Sequence, residues 1–129
     1  MDYFEEHNGL HSFFPFPKFL LNFDLTPVTM IVYMRLYDRN FLSKRNGWFD
    51  EKGRVYIIYP VKDLAHDTRC NERTVMKALR ELEKIDLVER ERIAPGGVNK
   101  IYVKRPWLTI SDRPDKAELE YLMIEANLQ

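Results

Sequence analysis

The chain is poor in the residues that make a chemistry easy to name. It holds one cysteine, Cys70, so no disulfide framework can staple it, and a reducing compartment is expected. Its histidines are His7, His11 and His66. His66 and Cys70 stand four apart and could share a helical face, but two donors do not make a zinc site and no Cys-x-x-Cys accompanies them. Glycine is scarce, with five in all. The one pair, Gly96-Gly97, does not lead into a helix with Lys and Ser or Thr, so it is no phosphate loop. Carboxylates are numerous but not paired around any evident pocket, and Cys70 has no base beside it to make a nucleophile. No apolar run approaches the ~18 residues of a membrane span. The opening residues are acidic (Asp2, Glu5, Glu6), which is unlike a signal peptide. Net charge is also absent, with 20 basic against 20 acidic residues, which argues against a non-specific polycation. These absences lead us to expect a non-enzymatic protein with no metal, no cofactor and no membrane partner, in the cytoplasm.

What is present is enough for one domain. The 129 residues are 45% hydrophobic and 31% charged, which is globular composition rather than a disordered tail. Aromatics reach 13%, so the core or a partner surface is rich in rings. The charge is unevenly spread. Val61 to Arg105 carries 11 basic and 8 acidic residues, an excess of +3, and Pro106 to Gln129 carries 2 and 5, an excess of −3.

The basic excess contains one ordered pattern. Arg73, Lys77, Arg80 and Lys84 are spaced 4, 3 and 4. On a helix they fall in a sector of about 60° at roughly 100° per residue. Val75, Ala78, Leu79, Leu82 and Ile85 fill the opposite sector. Such a helix docks on a core with one face and offers a cationic ridge with the other. The alternative is a solvated face laced by i,i+4 pairs, with Glu81 and Glu83 as the available neighbours.

The surroundings favour the first reading. Met1 to Ser12 is a polar arm, and Phe13-Phe14-Pro15-Phe16-Pro17 is extended because each proline biases its predecessor away from the helix. Phe13, Phe14, Phe16 and Phe19-Leu20-Leu21 must cover the domain's own core or bind a second copy. Thr26-Pro27 starts a helix that runs to about Asn40 and is apolar around most of its circumference. Gly47 to Pro60 reads as a hairpin, turning at Asp50-Glu51-Lys52-Gly53, with Arg54 to Tyr59 as its β-rich arm. Val61 to about Thr68 is a short helix, Thr68-Arg69-Cys70 a tight link, and Asn71 the cap of the helix that carries the ridge. A short helix, a brief link and a second helix make the helix-turn-helix outline. Asp86 breaks the second helix. Leu87 to Ile93 and Ile101 to Lys104 are then two strands around the turn-rich tip Ala94 to Lys100, which is a wing. Pro106 to Pro114 is a linker, and Lys116 to Leu128 an acidic amphipathic helix.

The fold class expected is α+β, mainly α: a winged helix-turn-helix with an N-terminal extension and a C-terminal helix. The divisions are an arm over 1–25, the DNA-binding domain over 26–105 and the linker with the last helix over 106–129. Residues at the start of such a recognition helix reach base edges: here Asn71, Arg73, Thr74 and Lys77. Arg73 is the first choice for a bidentate contact to guanine, and Asn71 is better explained as a cap. Arg80 is intermediate, and Lys84 reaches phosphate only. From the wing, Arg90, Arg92, Asn99 and Lys100 are expected at the backbone or minor groove.

Several strings also resemble a known family: Phe16-Pro17-Lys18-Phe19-Leu20, Leu25-Thr26-Pro27 with Leu36-Tyr37, Asn46-Gly47-Trp48, Gly53-Arg54-Val55-Tyr56-Ile57-Ile58, Thr74 to Arg92, and Ile101-Tyr102-Val103-Lys104. Together they are similar to the N-terminal winged-helix domain of the plasmid replication initiator A family (RepA_N type). The resemblance spans about Phe13 to Lys104. It implies a bacterial protein of plasmids or mobile elements, associated with the plasmid or nucleoid. It further implies binding of repeated double-stranded DNA sites at a replication origin, as a homodimer. We expect the dimer to form through residues 13–40. Host replication proteins are partners of a second domain in that family; the 129 residues leave no room for it, so those partners are expected only if this chain is a piece of a longer protein, the alternative being a short protein that only binds DNA. A winged-helix transcriptional regulator, or a protein-interaction scaffold, would share the same outline.

Overall fold

Three helices and a three-stranded antiparallel sheet carry the core of this protein. The computed structural model describes residues 1–93 and 99–106. After a 3-10 turn at Lys18–Asn22, the elements are α1 (Pro27–Arg45), β1 (Ile57–Ile58), α2 (Val61–Thr68), α3 (Glu72–Lys84), β2 (Val88–Arg92) and β3 (Asn99–Val103). The linker, the C-terminal helix and most of the wing tip, expected over 106–129 and 94–98, lie almost wholly outside the described residues.

Helix α1 begins where the sequence places it. The Thr26 hydroxyl accepts from the Thr29 N–H at 3.3 Å, and Pro27 occupies the first helical position, where no donor is missed. The helix does not stop near Asn40 but continues to Arg45. Asn40 is tolerated in the interior, and the real stop is Gly47, whose φ of +76° a side chain would resist. Lys44 and Arg45 sit in the last turn, where cations suit the helix dipole. Val32, Tyr33 and Leu36 are buried, while Ile31, Phe41 and Leu42 remain exposed. One flank of this helix thus leaves apolar side chains exposed among the described residues.

The hairpin forms, but is smaller than expected. The Asp50 N–H donates to the Arg54 carbonyl at 2.9 Å, and the Tyr56 N–H to the Trp48 carbonyl at 3.2 Å. The Asp50 carboxylate closes the turn, accepting from the Lys52 and Arg54 N–H groups at 2.9 and 2.8 Å and from Arg54 Nε at 2.7 Å. Only Ile57–Ile58 of the expected Arg54–Tyr59 arm becomes regular strand, and it pairs with the wing rather than within its own hairpin: Ile57 lies opposite Ile101. The sheet order is β1-β3-β2. Both hairpins of the sequence reading therefore form, and Ile57–Ile58 joins the first to the second in a single sheet.

Helix α2 spans the expected Val61–Thr68 and ends at Arg69, which adopts the left-handed conformation at φ 56°. The Cys70 N–H then bonds back to the Ala65 carbonyl at 2.9 Å, so the chain reverses in a short space. Helix α3 follows, and Asp86, also left-handed at φ 62°, turns it into β2. Leu20, Leu36, Leu64, Leu79, Leu82 and Ile101 belong to one core. Tyr33 is buried there, and its hydroxyl donates to the Lys104 carbonyl at 2.6 Å, tying the end of β3 to α1. Burial raises the pKa of that phenol well above its ordinary value, with Tyr37 adding to the shift. A polar cluster joins α1 to α2: Arg35 Nε donates to the Tyr59 hydroxyl at 3.1 Å, and Tyr59 in turn donates to Asp67.

The aromatic N-terminal stretch divides. Leu20 is fully buried and the Phe19 ring meets Tyr33 edge-on at 5.5 Å, so this part covers the core. Phe13, Phe14, Phe16 and Leu21 stay exposed, with Phe14 beneath the Arg35 guanidinium at 4.6 Å.

Candidate nucleic-acid interface

The sequence of α3 determines both its faces. Val75, Ala78, Leu79 and Leu82 are buried, which turns Arg73, Lys77, Arg80 and Lys84 outward, and all four are exposed. Among the described residues none of the four makes an ion pair. The face is solvated, but the i,i+4 pairs that would lace it do not form among the described residues.

Asn71 is the cap of α3, its side-chain oxygen accepting from the Thr74 N–H at 2.7 Å. That bond accounts for the residue without a base contact. Thr74 is half-buried beside the ridge.

The wing residues divide by sheet face. Partners directly opposite in an antiparallel pair share a face, and successive residues alternate. Arg92 lies opposite Asn99 and Arg90 opposite Ile101, whose side chain belongs to the core that α3 covers. Glu91 lies opposite Lys100 and so shares the other face. Lys100 accordingly sits over the Tyr56 ring at 4.7 Å, behind the sheet. Arg90 is on the α3 side but engaged there. It is ion-paired with Glu83 and lies 3.8 Å from Met76 Sδ, with only 16% of its side chain exposed. It braces β2 against α3. Of the four wing candidates, Arg92 and Asn99 are the ones placed on the ridge side without such an engagement.

Sequence reasoning missed the opposite wall of the interface. A cleft of about 460 Å³ runs along α3 between Arg73, Lys77 and Arg80 on one side and the cap residue Thr26 with Val28 and Thr29 of α1 on the other. The only advance signal is Thr29 itself, a polar residue at a buried position of α1. Elsewhere, His66 is exposed and the Cys70 thiol points to the Thr68 carbonyl at 3.4 Å. Among the described residues no three His, Cys, Asp or Glu side chains gather as metal ligands, and no helix is long and apolar enough to cross a membrane.

A short helix, a left-handed link, a two-faced second helix and a β-hairpin that continues from it define a winged helix-turn-helix domain. The family described as Replication initiator protein A (RepA) N-terminus matches residues 12–114, and the chain belongs to it. Among solved structures, one titled "Structure of MDR initiator" is 32% identical with a TM-score of 0.65, covering 90% of this chain and 89% of that one. One titled "N-Terminal domain of DNA binding protein" is 28% identical with a TM-score of 0.67, covering 92% and 88%. One titled "Structure of Rep-DNA complex" is 26% identical with a TM-score of 0.66, covering 92% and 89%. Among curated proteins no match is found.

Proposed function

We propose that this chain is a non-catalytic domain that binds duplex DNA in a sequence-specific way, at repeated sites of a replication origin. The observation that carries the reading is the unpaired cationic ridge of α3, standing clear of the core beside the wing. The membership in the replication initiator family and the likeness to a domain whose title names a DNA complex support it. In this reading the ridge enters the major groove, about 12 Å wide. Arg73 reads a guanine edge, Thr74 lies beside it, and Lys77, Arg80 and Lys84 meet phosphates. Arg92 and Asn99 approach the flanking backbone. Asn71, Arg90 and Lys100 serve the frame, as cap, brace and sheet-face partner. Two copies would meet through residues 13–40, where Phe13, Phe16, Leu21 and Ile31 offer exposed apolar surface. Their recognition helices would then lie one turn of DNA apart, about 34 Å.

Selection of bound duplexes from a random pool, with the mass of the complex measured alongside, tests the reading. Enrichment of a defined motif held by two protein copies is expected. A pool that emerges unenriched would refute sequence-specific recognition.

A further inference from the structure

The wall of the cleft opposite the ridge contains a buried hydroxyl with a specific partner. Thr29 is 1% exposed. Its Oγ1 lies 2.9 Å from the Thr26 hydroxyl and donates to Glu81 Oε2 at 2.6 Å. Glu81 lies among the ridge residues: four after Lys77, next to Arg80 and three before Lys84. On a helix these are contact spacings, at which Glu81 can pair weakly with Lys77 or, in the better order of acid before base, with Lys84. Yet Lys77 and Lys84 make no ion pair among the described residues, and the Glu81 carboxylate is held by α1 instead.

We propose that Thr29 is a positioning residue for DNA binding: it draws the Glu81 carboxylate towards α1 and leaves the ridge ammonium groups free for phosphate. The inference rests on the DNA-binding reading above. A carboxylate released from Thr29 would fold back onto Lys77 or Lys84 and neutralise a cation, and that pair would have to break before phosphate could take its place. Thr29 itself touches no DNA.

The test is a cycle of variants titrated with the selected duplex, with thermal unfolding followed in parallel. Thr29→Val keeps the shape and removes the donor, and Thr29→Ala removes it without crowding the site. Both are expected to weaken binding by the stability of the helix-surface pair that must break, about 2-fold at low salt, with the difference fading as salt screens the pair. Thr29→Ser, which keeps the hydroxyl, binds as the unmodified chain does. In a Glu81→Gln background, where no carboxylate can be released, Thr29→Val has no further effect. Unchanged binding by Thr29→Val and Thr29→Ala overturns the proposal. So does an equal loss in the Glu81→Gln background, since that is what mere loosening of α1 would give. Failure of the unmodified chain to bind any duplex defeats the DNA-binding reading itself, whereas good binding with an additive cycle defeats only the role of Thr29.

Discussion

Removing the Lys77 ammonium probes the interface at its centre. The residue is exposed, makes no ion pair among the described residues and lies in line with Arg73 and Arg80, so its loss leaves the fold undisturbed and its charge is free to act on DNA. Each phosphate contact contributes about −0.9 to the slope of log affinity against log salt. If Lys77, Arg80 and Lys84 each meet one phosphate, the ridge supplies about −2.7 of that slope, and Lys77→Ala removes about 0.9. The loss of affinity is then about 8-fold at 0.1 M salt and shrinks to about 2-fold at 0.4 M. The loss is the same on matched and mismatched duplexes, because phosphate carries no sequence. Arg73→Ala is the contrast: it relaxes the preference at one base position by ~1–3 kcal/mol. Fluorescence anisotropy titrations at four salt concentrations measure both. Lys52→Ala, in the exposed hairpin turn outside the proposed interface, is the control and leaves the slope unchanged. A Lys77→Ala slope equal to that of the unmodified chain would refute the placement of α3 against the DNA backbone.

Three further outcomes follow from the packing. Leu79 is fully buried behind the ridge, and Leu79→Ala should lower stability in urea unfolding by ~2–5 kcal/mol, a large share of the ~5–15 kcal/mol typical of a small domain; a loss below ~1 kcal/mol would mean that α3 is not held by its back. Tyr33→Phe leaves the Lys104 carbonyl without its 2.6 Å partner and should cost ~1–3 kcal/mol by the same measurement. Asp50 gives a pH signature. Burial pushes its carboxyl up, but hydrogen bonds from the Arg54 N–H and guanidinium, the Lys52 N–H and the Tyr102 hydroxyl outweigh this and hold it at about 2. A carboxylate depressed in the folded state stabilises above its unfolded pKa of about 3.9 and loses that contribution as pH falls towards 2. The acid unfolding curve of Asp50→Asn should therefore lack the component between about pH 4 and pH 2 that the unmodified chain shows.

Much of the local structure can be read from short-range chemistry. Pro60, the Thr68-Arg69-Cys70 link and the Asn71 cap delimit α2 and α3 because each acts on its immediate neighbours, and the 4-3-4 spacing of the ridge carries its own geometry. Most of what escaped the sequence depends on distant partners. Asn40 looked like a helix end because of its own polar side chain, whereas α1 runs on to Arg45 and is stopped only by the backbone at Gly47. Ile57 pairs with Ile101, a ladder that no periodicity near either residue reveals. Arg90 and Lys100 were grouped as wing cations because both are basic and near the tip. Register decides that one faces α3 and meets Glu83 while the other lies behind the sheet over Tyr56. The tie from Thr29 to Glu81 spans 52 residues and has no signature beyond a polar residue on a buried face.

The frame that orients α3 uses none of the four ridge side chains. Its start is fixed by the Asn71 amide, its flanks by the left-handed Arg69 and Asp86, and its back by aliphatic groups turned inward. Substitution along the exposed line therefore carries little folding penalty. Solved domains only 26–32% identical to this chain keep the same scaffold, so the exposed line can be rewritten by mutation without first losing the shape that presents it.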